Sequence, residues 1–357
     1  MTRMEDYRLL GRSGLRVSPL SLGTMTFGEA WGWGADRKDS KRIFDAYLDA
    51  GGNLVDTANI YTDGESERYL GEFLRGRRDS VVVATKYAAT RDPLDPNAGG
   101  GGRKSLRGSV EASLKNLGTD YIDLLYLHAW DGMTPSDEVI ASLADLVRSG
   151  KVLYLGISDT PAWEVARMQT IADIRGWPSF AALQVEYSLI ERTTERDLIP
   201  MANELGIGVI PWSPLGGGVL TGKYSAADLG AGGSDSPVGT RRDHARASGT
   251  LTVRGLEIAE AVVDVARELG VTAAQVALAW TLENPAVASS LIGARTVEQL
   301  QQNISALDVT FDASHLETLQ AASAVDLGFP HEFLMRPMVR GVTTGHSTVR
   351  PRPSRTW

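Results

Sequence analysis

Along the chain, short runs of apolar, often β-branched residues keep giving way to longer stretches in which apolar positions recur every three or four residues. The short runs are Leu20–Gly23, Asn53–Asp56, Val81–Thr85, Ile122–Leu127, Val152–Ile157, Ala181–Gln184, Gly208–Ile210 and Ala288–Ile292. The helical patterns lie near 36–50, 65–75, 105–117, 136–149, 161–175, 194–205, 254–283 and 296–305. Runs that are largely apolar, without alternation, predict strands covered on both faces, as in a parallel sheet. Regular β–α alternation predicts an α/β architecture. A doubly wound open sheet should carry G-x-G-x-x-G after its first strand, and none follows Leu20–Gly23. Eight such units without a composition break between them predict instead a closed (β/α)8 TIM barrel, formed by residues 1–357 as one domain.

Other segments stand outside the eight units. Residues 7–20 (YRLLGRSGLRVSPL) alternate around a Gly-bearing turn and predict an N-terminal β-hairpin across one barrel end. Segments 87–104, 215–250 and 324–357 are rich in Gly, Pro, Asp and Arg and predict long loops on the C-terminal face. The four glycines at 99–102 predict a flexible loop. After Glu332 come Arg336, Arg340, Arg350, Arg352 and Arg355 with no acid, which predicts a loop or disordered tail.

Composition narrows the function classes. With 43% hydrophobic and 22% charged residues the chain has ordinary globular composition. It has no cysteine, which excludes disulfides, thiolate catalysis and Cys-ligated metals and fits a reducing compartment. The start, MTRMEDYRLLGRSG, lacks the apolar core of a signal peptide. No stretch approaches the roughly 18 consecutive apolar residues that a membrane span needs. A net charge of −8 gives no global attraction to nucleic acid or anionic lipid. The five histidines form no H-x-x-x-H or H-E-x-x-H, so no metal is expected. These features point to a cytoplasmic protein; a homo-oligomer stays compatible with them.

In a barrel, catalytic groups sit where strands end at the C-terminal face. The second strand ends in Asp56, within DTANIY, and Tyr61 follows; VVVATK ends in Lys86 and IDLLYLH in His128. Such a set suits proton donation to an oxyanion. A tyrosine has an ordinary pKa of about 10, and a neighbouring lysine cation lowers it by favouring the phenolate. A carboxylate would hold that lysine charged, and a histidine would orient a carbonyl oxygen or help relay the proton. Alone, each residue is more often a cap, a packed group or a solvated charge; their joint placement carries the reading. GGVLTGKY (217–224) imitates a phosphate-binding G-x-x-x-x-G-K-[ST] loop, but Tyr224 replaces the hydroxyl residue and no strand–loop–helix context surrounds it.

Asp56, Tyr61, Lys86 and His128 resemble the catalytic tetrad of the aldo-keto reductase superfamily, in order and spacing, over roughly Tyr7 to Asn303. The resemblance implies a (β/α)8 fold, NADPH/NADP+ extended across the rim, and hydride transfer to a carbonyl substrate. It makes Tyr61 the general acid/base, Lys86 its pKa-lowering neighbour, Asp56 the partner of Lys86, and His128 the group orienting the carbonyl. It implies cofactor contacts from Gly23 and Thr24 with Asp56, and from Ser158, Asp159 and Gln184 around the carboxamide. Asn is common in the family where this chain has Asp159, and Tyr where Trp212 is matched to the aromatic stacking on the nicotinamide. Ser213, Pro214, Leu215, Gly217 and Lys223 resemble the pyrophosphate clasp. Gly293, Arg295, Gln299, Gln302 and Asn303 resemble the adenosine end, with Arg295 placed for a 2′-phosphate. Phe27, Trp31, Trp33 and Trp130 are expected to line an apolar substrate pocket. HAWD (128–131) and GKVLYLGISDTPAW resemble the aryl-alcohol dehydrogenase branch, which implies aromatic or aliphatic aldehydes and ketones. Two alternatives share the fold: a regulatory barrel like a potassium-channel β subunit, and a sugar-nucleotide ketoreductase.

Overall fold

The computed structural model describes residues 2–229, 240–345 and 347. Eight parallel strands make the barrel: β3 (Leu20–Gly23), β4 (Leu54–Asp56), β5 (Val82–Tyr87), β6 (Ile122–Leu127), β7 (Val152–Ser158), β8 (Phe180–Glu186), β9 (Gly208–Trp212) and β10 (Ser290–Gly293). Each predicted run is one of these strands, with ends that coincide or shift by one or two residues. The sheet runs from β10 through β3 to β9. It closes because Val209 pairs in parallel with Val287, with Val209 N–H on the Ala286 carbonyl at 3.0 Å and Ala288 N–H on the Val209 carbonyl at 2.9 Å. The fold is a (β/α)8 barrel.

Helices α1 (Arg37–Asp49), α2 (Glu65–Phe73), α3 (Arg103–Leu117), α4 (Ser136–Arg148), α5 (Ala162–Arg175) and α6 (Leu198–Leu205) follow β3 to β8 in turn. Positions 254–283 were expected to be one helix and are two, α8 (Val253–Leu269) and α9 (Ala273–Leu282). Gly270 ends α8 at φ +68°, and Thr272 with Gln275 forms a capping box that restarts the helix. Helix α10 (Val297–Ile304) follows β10, and α11 (Ala313–Ala322), which the apolar pattern did not reveal, follows a capping box at Asp312.

Two of the predicted loops contain folded pieces. Segment 215–250 holds short 3-10 turns at Gly216–Thr221 and Ala226–Asp228 and helix α7 (Arg241–Ala247); its residues 230–239 lie outside the described part. The tail was expected to be structureless, yet α12 (His331–Met335) and α13 (Pro337–Thr344) occupy it. Pro337 opens α13 with φ preset for a helix, a role its proline and arginine neighbours conceal. Arg350, Arg352 and Arg355 lie outside the described residues. Among the described residues no helix is long and apolar enough to cross a membrane.

The core follows strand parity, since successive side chains on a strand point to opposite faces. Val55, Val83, Leu125, Ile157, Leu183 and Val209 point outward and pack under the helices. Leu54, Val82, Ala84, Leu124, Tyr126, Ala182 and Ile210 point to the axis and fill the barrel. The hairpin, β1 (Arg8–Leu9) with β2 (Arg16–Val17), closes the foot by adding Leu10 and Val17 to that inner cluster. Its turn sits against the entry to β9, where Arg12 N–H donates to the Gly206 carbonyl at 2.8 Å. Gly11, at φ +57°, is required there: a Cβ would lie 2.6 Å from that carbonyl oxygen.

Higher in the barrel, the fully buried Tyr126 reaches across to β7, and Gly156 leaves room for it. A Cβ at Gly156 would fall 2.4 Å from the Tyr126 ring. Gly156→Ala is therefore expected to destabilise the fold by about 1–3 kcal/mol, the usual cost of overpacking, measured by urea denaturation. An unchanged midpoint would mean that Tyr126 has space to swing aside.

Candidate active site

The parity that fills the barrel also builds the rim. Continuing the inward series by one step on each strand gives Asp56 on β4, Lys86 on β5, His128 just past β6, Ser158 on β7, Gln184 on β8 and Trp212 on β9. Register staggers them: Asp56 pairs with Ala84, Lys86 with Tyr126, Ser158 with Gln184, and Glu186 with Trp212. His128 N–H continues the ladder onto the Tyr87 carbonyl at 2.9 Å.

At the centre is a buried ion pair. Lys86 Nζ donates to Asp56 Oδ1, to the Thr57 carbonyl at 2.9 Å and to the Tyr61 hydroxyl at 3.2 Å. Asp56 Oδ2 accepts from Gln184 Nε2 at 2.9 Å. Both charged residues are nearly inaccessible, at 1% for Lys86 and 2% for Asp56, so neither charge is neutralised by water. Burial pulls the Lys86 pKa down, but Asp56 and Tyr61 outweigh it and hold the ammonium above its ordinary value. For Tyr61 burial dominates and pushes the phenol up, with Lys86 opposing it and Asp56 adding to it. The expected lowering by Lys86 is thus one contribution to a net rise. His128 is driven down to about 3 by burial and then by Lys86, so its imidazole is neutral. Its ring meets Tyr61 edge-on at 5.9 Å.

Tyr61 comes from a loop, and its placement is built locally. Thr57 N–H on the Ala84 carbonyl and Asn59 N–H on the Lys86 carbonyl extend the β4–β5 ladder beyond the strand. Thr62, at φ +47°, donates its hydroxyl to the Phe27 carbonyl at 2.6 Å and pins the turn to the first loop. Thr62, Asp63, Ala88, Asp159 and Ser213 are the non-glycine residues at positive φ among those described, and all lie just past strands on this rim. Such concentration of sparsely populated backbone marks sites held by their surroundings.

The other expected cofactor residues fall into groups. Ser158 has a buried hydroxyl with no hydrogen-bond partner. Asp159 accepts the Trp212 indole N–H at 3.0 Å, and burial outweighs that bond in raising its carboxyl. Ser213 caps the Gly216–Thr221 turn, its Oγ accepting from Gly217 N–H at 3.2 Å, with Pro214 and Leu215 between. Lys223 is exposed, its ammonium 4.9 Å from the Tyr224 ring centroid. Gly23 pairs with both Asp56 and Gly293, so all three share the rim. Arg295 and Gln302 are exposed around α10, Gln299 accepts Arg295 N–H, and the Asn303 amide caps the Gly293 carbonyl. Thr24 is fully buried, its hydroxyl spent on the Asp56 carbonyl and Ser66.

The aromatic group divides. Phe27 is not at the pocket: it is fully buried in the core beneath the first loop. Trp31 stacks near Trp33 at 5.9 Å and meets the Tyr61 edge at 6.4 Å. Trp130 pairs with Trp163 at 5.7 Å, a partner the sequence reading overlooked although it lies in the quoted TPAW segment. The 99–102 glycines are pinned: Gly100 N–H bonds the Ala88 carbonyl at 2.7 Å and Gly101 N–H bonds Asp131 at 2.8 Å. Asp131 also accepts from Met133 N–H, Thr134 N–H and the Thr134 hydroxyl. Glu186 was missed too, although it is the next inward position after Gln184.

A barrel whose rim gathers a carboxylate, a buried lysine, a tyrosine and a neutral histidine defines an oxidoreductase of the carbonyl-handling type. Residues 19–324 match the family model described as aldo/keto reductase family, and the chain belongs to that family. It is 38% identical to norsolorinic acid reductase B of Dothistroma septosporum, over 95% of this chain and 87% of that protein. It is 39% identical to an aryl-alcohol dehydrogenase of Pestalotiopsis microspora, over 94% and 87%. An uncharacterised oxidoreductase of Bacillus subtilis is 41% identical, over 88% and 94%.

Burial, with Glu191 and Asp159 adding like charge, pushes Glu186 up to about 7. The folded protein therefore holds a proton there that the unfolded chain, ionising near 4.5, has released. The stability Glu186 contributes is present below that lower value and is lost as pH rises towards 7. Melting curves from pH 4.5 to 7.5 should show Glu186→Gln losing about 1–3 °C less than wild type across the range. Parallel curves would mean the carboxyl titrates alike in both states.

Proposed function

We propose that the chain reduces aldehydes and ketones to alcohols with NADPH, aromatic or apolar carbonyls foremost, and that Tyr61 donates the proton. The observation that carries this reading is the Tyr61 hydroxyl 3.2 Å from a lysine kept charged by a buried carboxylate. The rim fits a nicotinamide dinucleotide: the Ser158 hydroxyl is buried and unpartnered beside Gln184, and an exposed arginine stands at the start of α10. Ser158, Asp159, Gln184 and Trp212 would hold the nicotinamide. Ser213 to Gly217 and Lys223 would hold the pyrophosphate, and Gly293, Arg295, Gln299, Gln302 and Asn303 the adenosine end. An arginine at position 295 favours a 2′-phosphate, hence NADPH over NADH.

When bound, the reduced nicotinamide supplies a hydride to the carbonyl carbon. The residues of this chain handle the charge that then appears on oxygen. His128, being neutral, offers an N–H to the carbonyl oxygen without competing for its proton. Tyr61 stays protonated through neutral pH because burial raises it, so the proton is present when needed. As the oxygen becomes an alkoxide, the Tyr61 O–H transfers its proton to it. The phenolate left behind is stabilised by Lys86, whose charge Asp56 preserves. Solvent then reprotonates Tyr61. Trp31 lies edge-on to Tyr61 beside Trp33, and Trp130 pairs with Trp163; flat apolar surface of this kind suits planar carbonyl substrates.

Tyr61→Phe is expected to cut turnover of an aromatic aldehyde at least ~100-fold while NADPH still binds; a variant at wild-type rate would exclude Tyr61 as the donor. Arg295→Ala should raise the Kd for NADPH by about tenfold and leave NADH within about twofold, read by fluorescence titration of both. Equal losses would remove the 2′-phosphate contact.

A further inference from the structure

Asp159 and Trp212, matched above to positions where the family resemblance has Asn and Tyr in common use, are bonded to each other. The indole Nε1 donates to Asp159 Oδ1 at 3.0 Å, joining the loop after β7 to the end of β9. An indole N–H is a donor only, so its partner must accept. A carboxylate accepts at either oxygen, so one oxygen can serve the indole while the other remains an acceptor.

The backbone on both sides supports the contact. Asp159 sits at φ +39° and Ser213, next to Trp212, at φ +52°, a region non-glycine residues seldom occupy. Aspartate and asparagine tolerate it better than other side chains. The Asp159 carbonyl also accepts Trp130 N–H at 3.4 Å, so the same residue ties in the loop after β6.

We propose that Asp159 is a positioning residue that fixes the plane of the Trp212 indole on the rim, the two side chains acting as one unit. The functional consequence rests on the nicotinamide reading given above: the ring would stack on an indole whose orientation Asp159 sets. The contact itself does not rest on that reading, so the two are tested separately.

The variants are chosen by the backbone. Asp159→Gly removes the acceptor while relieving the positive φ, whereas Asp159→Asn keeps an acceptor and a residue suited to that φ. Trp212 emission is isolated as wild type minus Trp212→Phe, and its quenching by acrylamide is followed in coenzyme-free protein. Thermal melts check that each variant is folded. Asp159→Gly should raise that quenching roughly twofold and weaken NADP+ binding about tenfold, a coupling of ordinary size for bonded side chains. Asp159→Asn should stay within about twofold of wild type in both. In the Trp212→Phe background, Asp159→Gly should cost clearly less affinity than its tenfold effect in wild type, the remainder being its own contact with the nicotinamide. Unchanged quenching in Asp159→Gly, an Asn variant as impaired as the Gly variant, or additive losses in the double variant would each overturn the proposal. If wild type binds neither NADP+ nor NADPH, the nicotinamide reading fails, and the quenching series still decides whether Asp159 orients Trp212.

Discussion

A lysine ammonium and an aspartate carboxylate removed from water, at the centre of a barrel otherwise filled by Leu, Val, Ala and Tyr side chains, is the constraint around which the rest is arranged. Such a pair is not a stability device, because desolvation offsets most of its attraction; losing one partner alone typically costs about 3–5 kcal/mol. It persists only when the remaining hydrogen-bonding capacity is met, and here it is. Gln184 from β8 satisfies the second Asp56 oxygen, and the Thr57 carbonyl and Tyr61 hydroxyl take the remaining Lys86 protons. Strands β4, β5 and β8 are thereby linked through one charge. Burial sets the direction for His128 and Tyr61, and the same ammonium adds to the fall of His128 and opposes the rise of Tyr61.

The two ends of the barrel divide the work. At the foot, the hairpin seals the axis with Leu10 and Val17, and Gly11 allows backbone to approach backbone. At the rim, strand ends pass into loops carrying the positive-φ residues, which are held by side-chain bonds and not by a ladder. Thr62 on Phe27, Asp131 on Gly101 and Trp212 on Asp159 each tie one loop to another. Foot and barrel supply rigidity; the loops supply the groups that meet a ligand.

Of the four aromatics expected at a pocket, Phe27 is in the core. Phe27 belongs to the segment that crosses beneath the first loop, where Ala35 pairs with it, and its ring has no route to solvent. Trp163, on the first turn of α5, meets Trp130 edge-on, as Trp31 meets Tyr61.

The sequence by itself determined the eight strands and their parallel arrangement, because apolar runs covered on both faces and regular β–α alternation are local signals. The rim residues were expected from their places near strand ends together with the tetrad resemblance. Asp56, Lys86 and His128 were legible since each lies at or next to a strand end. What the tertiary structure decided depends on separations no window spans. The Gln184–Asp56 and Trp212–Asp159 bonds join residues far apart in the chain, and the net rise of Tyr61 comes from an enclosure that spacing does not reveal. Glu186 was legible in principle, one parity step past Gln184, but its raised carboxyl reflects its burial first and then the like charges of Glu191 and Asp159, all set by folding. The arginine- and proline-rich composition concealed α12 and α13, although Pro337 sits at the start of α13, where its fixed φ suits a first helical turn. Periodicity reports which face of an element is buried; which charges then share that buried space is fixed only when the barrel closes.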